Sequence, residues 1–178
     1  YQGNELRGLC LGVLGFGNIG RRVAKLADAF GMRVLVLSRR DAAPYHAADL
    51  PQILAAADAL TLHLPLTDAT RGLLGPEQFA AMKPGALLVN TARGALIDGA
   101  ALRDALRRGQ LGGFAADVLE QEPPADDDEL LRSDRVVLTP HTASLTAATY
   151  RELCVGTARN VLAILRGEQP EPHSVFGG

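Results

Sequence analysis

Leu9-Cys10-Leu11-Gly12-Val13-Leu14-Gly15-Phe16-Gly17-Asn18-Ile19-Gly20 is the stretch on which the reading of this chain turns. An apolar run leads straight into G-x-G-x-x-G, and an amphipathic segment follows over about 18–30, so the glycines stand where a strand gives way to a helix. In that place each has a task. Gly15 allows the tight turn, Gly17 lets backbone approach a pyrophosphate, and Gly20 lets helix and strand pack closely. Asn18 and Ile19 lie between the glycines, at the helix N-terminus, where backbone N–H groups face an anion. A glycine-rich turn alone would carry little weight; the placement between strand and helix is what predicts a dinucleotide cradle.

Outward from this point the pattern repeats. Short apolar runs at 33–38 (RVLVLS), 59–64 (ALTLHL), 86–90 (ALLVN), 113–117 (GFAAD) and 136–139 (VVLT) read as strands. Helix-period segments lie between them near 49–57, 76–82 and 98–108, with Pro76 suited to a first turn, Asp98 to an N-cap and Gly109 to a left-handed C-cap. A last helix is expected over about 145–166, ending at Gly167, with residues 168–178 a tail or a connection. Strand and helix in alternation predict an α/β fold, a doubly wound parallel sheet of the Rossmann type.

Composition sets the outer bounds. The 178 residues are 47% hydrophobic and 21% charged, enough for one buried core and unlike a disordered chain. The net charge of -2 comes from mingled acids and bases, so nucleic acid and anionic membranes are not expected partners. No apolar run approaches the roughly 18 residues that span a bilayer. Cys10 and Cys154 sit in apolar segments outside any CxxC, which fits a reducing, cytoplasmic setting. Metal-ligand spacing is not found, so no metal is expected.

Two further regions bear on chemistry. The second strand should end, about 20 residues past the glycines, in an acid that holds the ribose 2′-hydroxyl of NAD. Here Ser38-Arg39-Arg40 occupy that place, a hydroxyl and two guanidiniums suited to a 2′-phosphate, which predicts NADP over NAD. Asp41 is the competing reading, as an acid that turns back to the ribose. In open parallel sheets ligands bind beyond the carboxyl ends of the strands. Arg93 follows ALLVN, Asp117 ends GFAAD, Glu122 comes five residues later and His141 follows VVLT. Reduction of a 2-keto acid needs a cation to grip the carboxylate and polarise the carbonyl, a task for the planar fork of Arg93. It also needs a proton donor, a task for His141 steadied by Glu122. The plainer readings are a surface ion pair for Arg93, membership of an acidic loop for Glu122 and a buried ring for His141. His63 reads as a strand-end residue packing near the cofactor, His46 as a loop side chain, and His173 has no argued role.

Taken in order, GVLGFGNIGRRVA, LHLPLTDATRGLLG, MKPGALLVNTARGALID, DVLEQEPP and LTPHTAS resemble the motifs of the D-isomer-specific 2-hydroxyacid dehydrogenases. The resemblance implies Arg93, Glu122 and His141 as catalytic residues and Asp117 beside the nicotinamide. It also implies cofactor contacts from Leu64, Pro65, Thr91, Ala92, Arg93 and His141. Thr142-Ala143-Ser144 departs from the family, which often has glycines there. Ser38 is similar to NADP-using members such as glyoxylate and hydroxypyruvate reductases. The resemblance further implies a substrate domain built from residues before Tyr1 and after Gly178, little turnover without it, and a homodimer. A nucleotide-sensing, corepressor-like protein on the same fold is the alternative reading.

Overall fold

The computed structural model describes residues 5–171. The chain divides into two compact units, Tyr1–Pro140 and His141–Gly178. In the first, seven strands form one sheet in the order β3-β2-β1-β4-β5-β6-β7, and every pairing is parallel. The strands are β1 (Cys10–Leu14), β2 (Arg33–Leu37), β3 (His46–Ala47), β4 (Ala59–Leu62), β5 (Ala86–Asn90), β6 (Leu111–Ala116) and β7 (Val136–Leu138). Between them lie α1 (Asn18–Ala29), α2 (Leu50–Ala56), α3 (Pro76–Ala81) and α4 (Gly99–Arg107). Chain order reverses beside β1, so that β1 pairs with β2 on one side and β4 on the other, which is the switch point where such sheets bind ligands.

The expected strands and helices are present to within a few residues at their ends, and the helix signals act as read. Pro76 opens α3, the Asp98 carboxylate accepts from the Ala101 N–H at 2.9 Å, and Gly109 follows α4 at φ +70. One correction concerns His46, which belongs to the two-residue strand β3 rather than to a loop. Its neighbourhood lacks an apolar run, and pairing with Leu35 and Val36 of β2 makes the strand.

All five residues of β1 are buried, as a strand covered on both faces requires. Cys10 and Leu14 join the larger core with Ile53, Phe79 and Leu102, while Leu11 and Val13 pack with Ala24 and Ala27 of α1. Gly12 faces α2, where a Cβ would stand 2.5 Å from Ile53. The amino-terminal edge of the sheet is tied by Asp58, which accepts from the Cys10 N–H at 2.7 Å and pairs with Lys83 at 2.8 Å. The lysine hydrogen bond and then the Cys10 amide hold this carboxyl below the usual aspartate range.

The second unit contains α5 (Ala147–Leu165), capped at Thr146, whose hydroxyl accepts from the Thr149 N–H at 3.1 Å. None of its residues is buried. His173 and most of the tail lie outside the described residues. Among those described, no helix is long and apolar enough to cross a membrane and no cluster of side chains suits a metal ion.

Candidate functional site

A parallel sheet delivers the carboxyl end of every strand to one edge, and at β1 that edge is shaped by glycine. Gly15 holds φ +100, and a Cβ there would lie 2.6 Å from the His63 carbonyl oxygen, so this turn is both left-handed and in contact with the chain leaving β4. At Gly20 a Cβ would fall 2.1 Å from the Gly15 oxygen, which makes the close packing of helix on turn conditional on glycine. Nothing lies within 4 Å of the corresponding point at Gly17, which leaves its backbone open to a ligand. Asn18 and Ile19 are exposed in the first turn of α1, whose N–H groups supply the anion-binding end.

From the cradle a cleft of about 580 Å³ runs along the switch point. Gly15 and Gly17 line it, together with Ser38, Arg39 and Arg40 beyond β2 and His63, Leu64 and Pro65 beyond β4. Ser38 accepts from the Arg40 N–H at 3.0 Å, and a hydroxyl that accepts there still has its own proton to give. Asp41 is not among the lining residues; its carboxylate accepts from the Ala43 N–H at 3.0 Å. Thr91, Ala92, Arg93 and Asp117 do not line this cleft either, and stand farther along the edge, beyond β5 and β6.

The sequence reading left out Phe16, Thr67 and Thr70. Phe16 is buried beneath the cleft, edge-on to Tyr45 with ring centroids 5.9 Å apart, and the Arg21 guanidinium lies 4.4 Å from its ring centre. The Thr70 hydroxyl donates to the Pro65 carbonyl at 2.7 Å and accepts from the Thr67 N–H at 2.8 Å, which pins the loop after β4. The T-x-x-T spacing was a legible signal for that turn, since threonine hydroxyls cap nearby backbone. His63 is half-buried and bonded through Nε2 to the Thr61 hydroxyl at 3.0 Å, and burial pushes its imidazole below the ordinary histidine value.

Along the same edge, β5, β6 and β7 end in a second cluster. Arg93 is exposed and extended in backbone, with Nη1 donating to the Ala92 carbonyl at 2.6 Å. Asp117 is buried, and the Thr139 hydroxyl donates to its Oδ1 at 2.5 Å. Glu122 accepts from the Leu119 N–H at 2.8 Å. The loops of Arg93 and Glu122 abut, because a Cβ on Gly94 would stand 2.0 Å from the Leu119 carbonyl carbon. His141, the first residue of the second unit, is exposed and takes φ 55, a left-handed conformation rare outside glycine.

A larger hollow of about 720 Å³ lies between α4 and the segment 118–130. Glu120, Asp127, Asp128 and Glu129 line it against one guanidinium, Arg103, which is already spent on Asp128. Such a lining repels phosphate, so size does not make this hollow the cofactor site.

A glycine cradle at the switch point of a parallel sheet, with an open cleft running to a serine and two arginines, defines a dinucleotide-binding domain. The chain belongs to the D-isomer specific 2-hydroxyacid dehydrogenase family, whose NAD binding domain model matches residues 1–143. It is 44% identical over 174 residues to a glyoxylate reductase of Aeropyrum pernix, covering 94% of this chain and 52% of that protein. It is 41% identical over 171 residues to a glycerate dehydrogenase of Methylorubrum extorquens, with 94% and 54% covered. The crystal structure of the TT0316 protein from Thermus thermophilus superposes with a TM-score of 0.90 at 44% identity, over 95% of this chain and 54% of that one. The chain thus spans about half the length of the curated relatives it matches.

Proposed function

We propose that this chain is the cofactor half of a reductase that converts a small 2-keto acid to its 2-hydroxy acid with NADPH, and the reverse with NADP. The cleft that joins the Gly15–Gly20 cradle to Ser38, Arg39 and Arg40 carries this reading. When bound, the nicotinamide supplies the hydride. The residues of this chain supply the rest. Arg93 grips the substrate carboxylate and polarises the carbonyl, and its exposed guanidinium at the strand-end edge suits that task. His141 delivers a proton to the carbonyl oxygen as the carbon accepts hydride, and Glu122 steadies the imidazole. Asp117, held by Thr139, offers an acceptor to the nicotinamide carboxamide. The resemblance supports Thr91 and Ala92 as further cofactor contacts.

Preference for NADP rests on charge. Ser38, Arg39 and Arg40 line the cleft where a carboxylate would repel a 2′-phosphate, while Asp41 is engaged by Ala43 and is not part of the lining. By family resemblance, turnover requires a substrate-binding half and the protein forms a homodimer. Two free cysteines, one of them exposed, support a reducing cytoplasm.

The test has two arms. Titration of this chain with both reduced cofactors should give tighter binding of NADPH; tighter binding of NADH would overturn the preference. NADPH oxidation by the full-length protein should appear with glyoxylate, hydroxypyruvate or pyruvate. Dinucleotide binding with no oxidation of NADPH or NADH by any 2-keto acid would favour the nucleotide-sensing alternative.

A further inference from the structure

We infer that Asn90 is the positioning residue for the arginine that holds the substrate, an inference that rests on the reading of Arg93 given above. Asn90 is the last residue of β5 and is fully buried, in a place where a leucine or valine would be the expected occupant of a parallel strand. Its side chain is spent on its own loop. Oδ1 accepts from the Ala92 N–H at 3.0 Å, and Nδ2 donates to the Arg93 carbonyl at 2.9 Å. One planar amide thus spans the turn 90–93, fixing the Thr91–Ala92 peptide at one end and the Arg93–Gly94 peptide at the other, with Arg93 held between them.

The rest of the frame is equally specific. The Asn90 carbonyl accepts from the Asp117 N–H at 3.1 Å, so the residue that shapes the arginine loop also joins it to β6. Gly94, next in line, backs onto the Leu119–Glu120 peptide with no room for a Cβ, and the Leu119 N–H in turn holds Glu122. The Arg93 guanidinium is exposed, so its reach is set by the backbone from which it hangs. Asparagine is the residue type this geometry asks for, because it offers one donor and one acceptor at that reach. Aspartate keeps the acceptor but sets a carboxylate against the Arg93 carbonyl, alanine leaves both backbone groups without the amide, and glutamine is a methylene too long.

The test is a double-mutant cycle in the full-length protein, with glyoxylate and NADPH as probes. Asn90→Asp and Asn90→Ala should each lower kcat/KM for glyoxylate on the order of 100-fold, the cost of a misplacement near 1 Å, while NADPH affinity stays within about twofold. In an Arg93→Ala background either substitution should change kcat/KM by only about twofold, because the group it positions is gone. An equal loss in both backgrounds overturns the proposal and leaves the role of Arg93 standing. Rates near those of the parent protein for both Asn90 variants also overturn it. Loss of NADPH binding and of cooperative unfolding in both variants overturns it too, since Asn90 would then hold up the fold rather than the arginine. An Arg93→Ala variant as active as the parent removes the arginine reading, and this inference with it.

Discussion

At the β1 end of the edge the chain offers bare backbone: Gly15, Gly17 and Gly20 shape an anion cradle in which no side chain acts. At the β5–β7 end it offers side chains fastened to other parts of the chain, with Asn90 bonded into its own loop, Asp117 to Thr139 and Glu122 to Leu119. Under the proposed function the two ends answer different demands. A pyrophosphate is bound by N–H groups whose direction is set by the turn, so removing side chains is enough. A keto acid needs a cation and a proton donor at defined points, and long side chains hold such points only when their backbone is braced.

Four substitutions probe this contrast, the first with the largest effect. Gly20→Ala puts a methyl 2.1 Å from the Gly15 oxygen and should destabilise the domain by about 1–3 kcal/mol, with dinucleotide binding lost. Gly17→Ala meets nothing within 4 Å and should leave the melting temperature unchanged while weakening NADPH binding. Thermal melts and NADPH titrations of the pair read both effects, and equal stability losses would mean that the cradle is not built as described.

Ser38→Asp should move cofactor preference toward NADH by about tenfold, or ~1.4 kcal/mol, through repulsion of the 2′-phosphate. Parallel NADH and NADPH titrations decide it; an unchanged ratio would show that Arg39 and Arg40 alone set the choice, or that neither matters.

The smallest effect concerns the acid-lined hollow between α4 and the segment 118–130. Arg103 meets Asp128 through Nε at 3.1 Å and Nη2 at 2.5 Å, and that bond, ahead of the Leu130 N–H, holds the Asp128 carboxyl below the usual aspartate range. A depressed carboxyl means that the folded state binds fewer protons. Its contribution to stability is therefore complete above the unfolded value of 3.8 and fades as pH falls through the folded one. Asp128→Asn should cost about 0.5–1 kcal/mol at pH 7 and lose less stability than the parent between pH 4 and pH 2. Parallel acid-unfolding curves would count against this account.

Much of the fold was legible because its signals are local. Pro76, Asp98 and Gly109 mark helix ends through their own backbone chemistry, and apolar runs of strand length mark β1, β2 and β4–β7 without reference to any partner. His46 was misjudged because two residues carry no period, and β3 exists only through its pairing with β2. Asn90 stood in plain view inside VNTARG. An asparagine at a strand end before a turn is a known brace for its own backbone, yet its burial and its pair of hydrogen bonds emerge only from the folded chain.

The amino-acid order alone determined the cradle, the alternation of strands and helices and the place of each candidate group after a strand, because each follows from a window of a dozen residues or fewer. Tertiary structure decided how the β5–β7 end is braced. Gly94 meets Leu119, Thr139 meets Asp117 and Arg103 meets Asp128. These partners lie more than twenty residues apart, and only the packing of the folded chain brings them together.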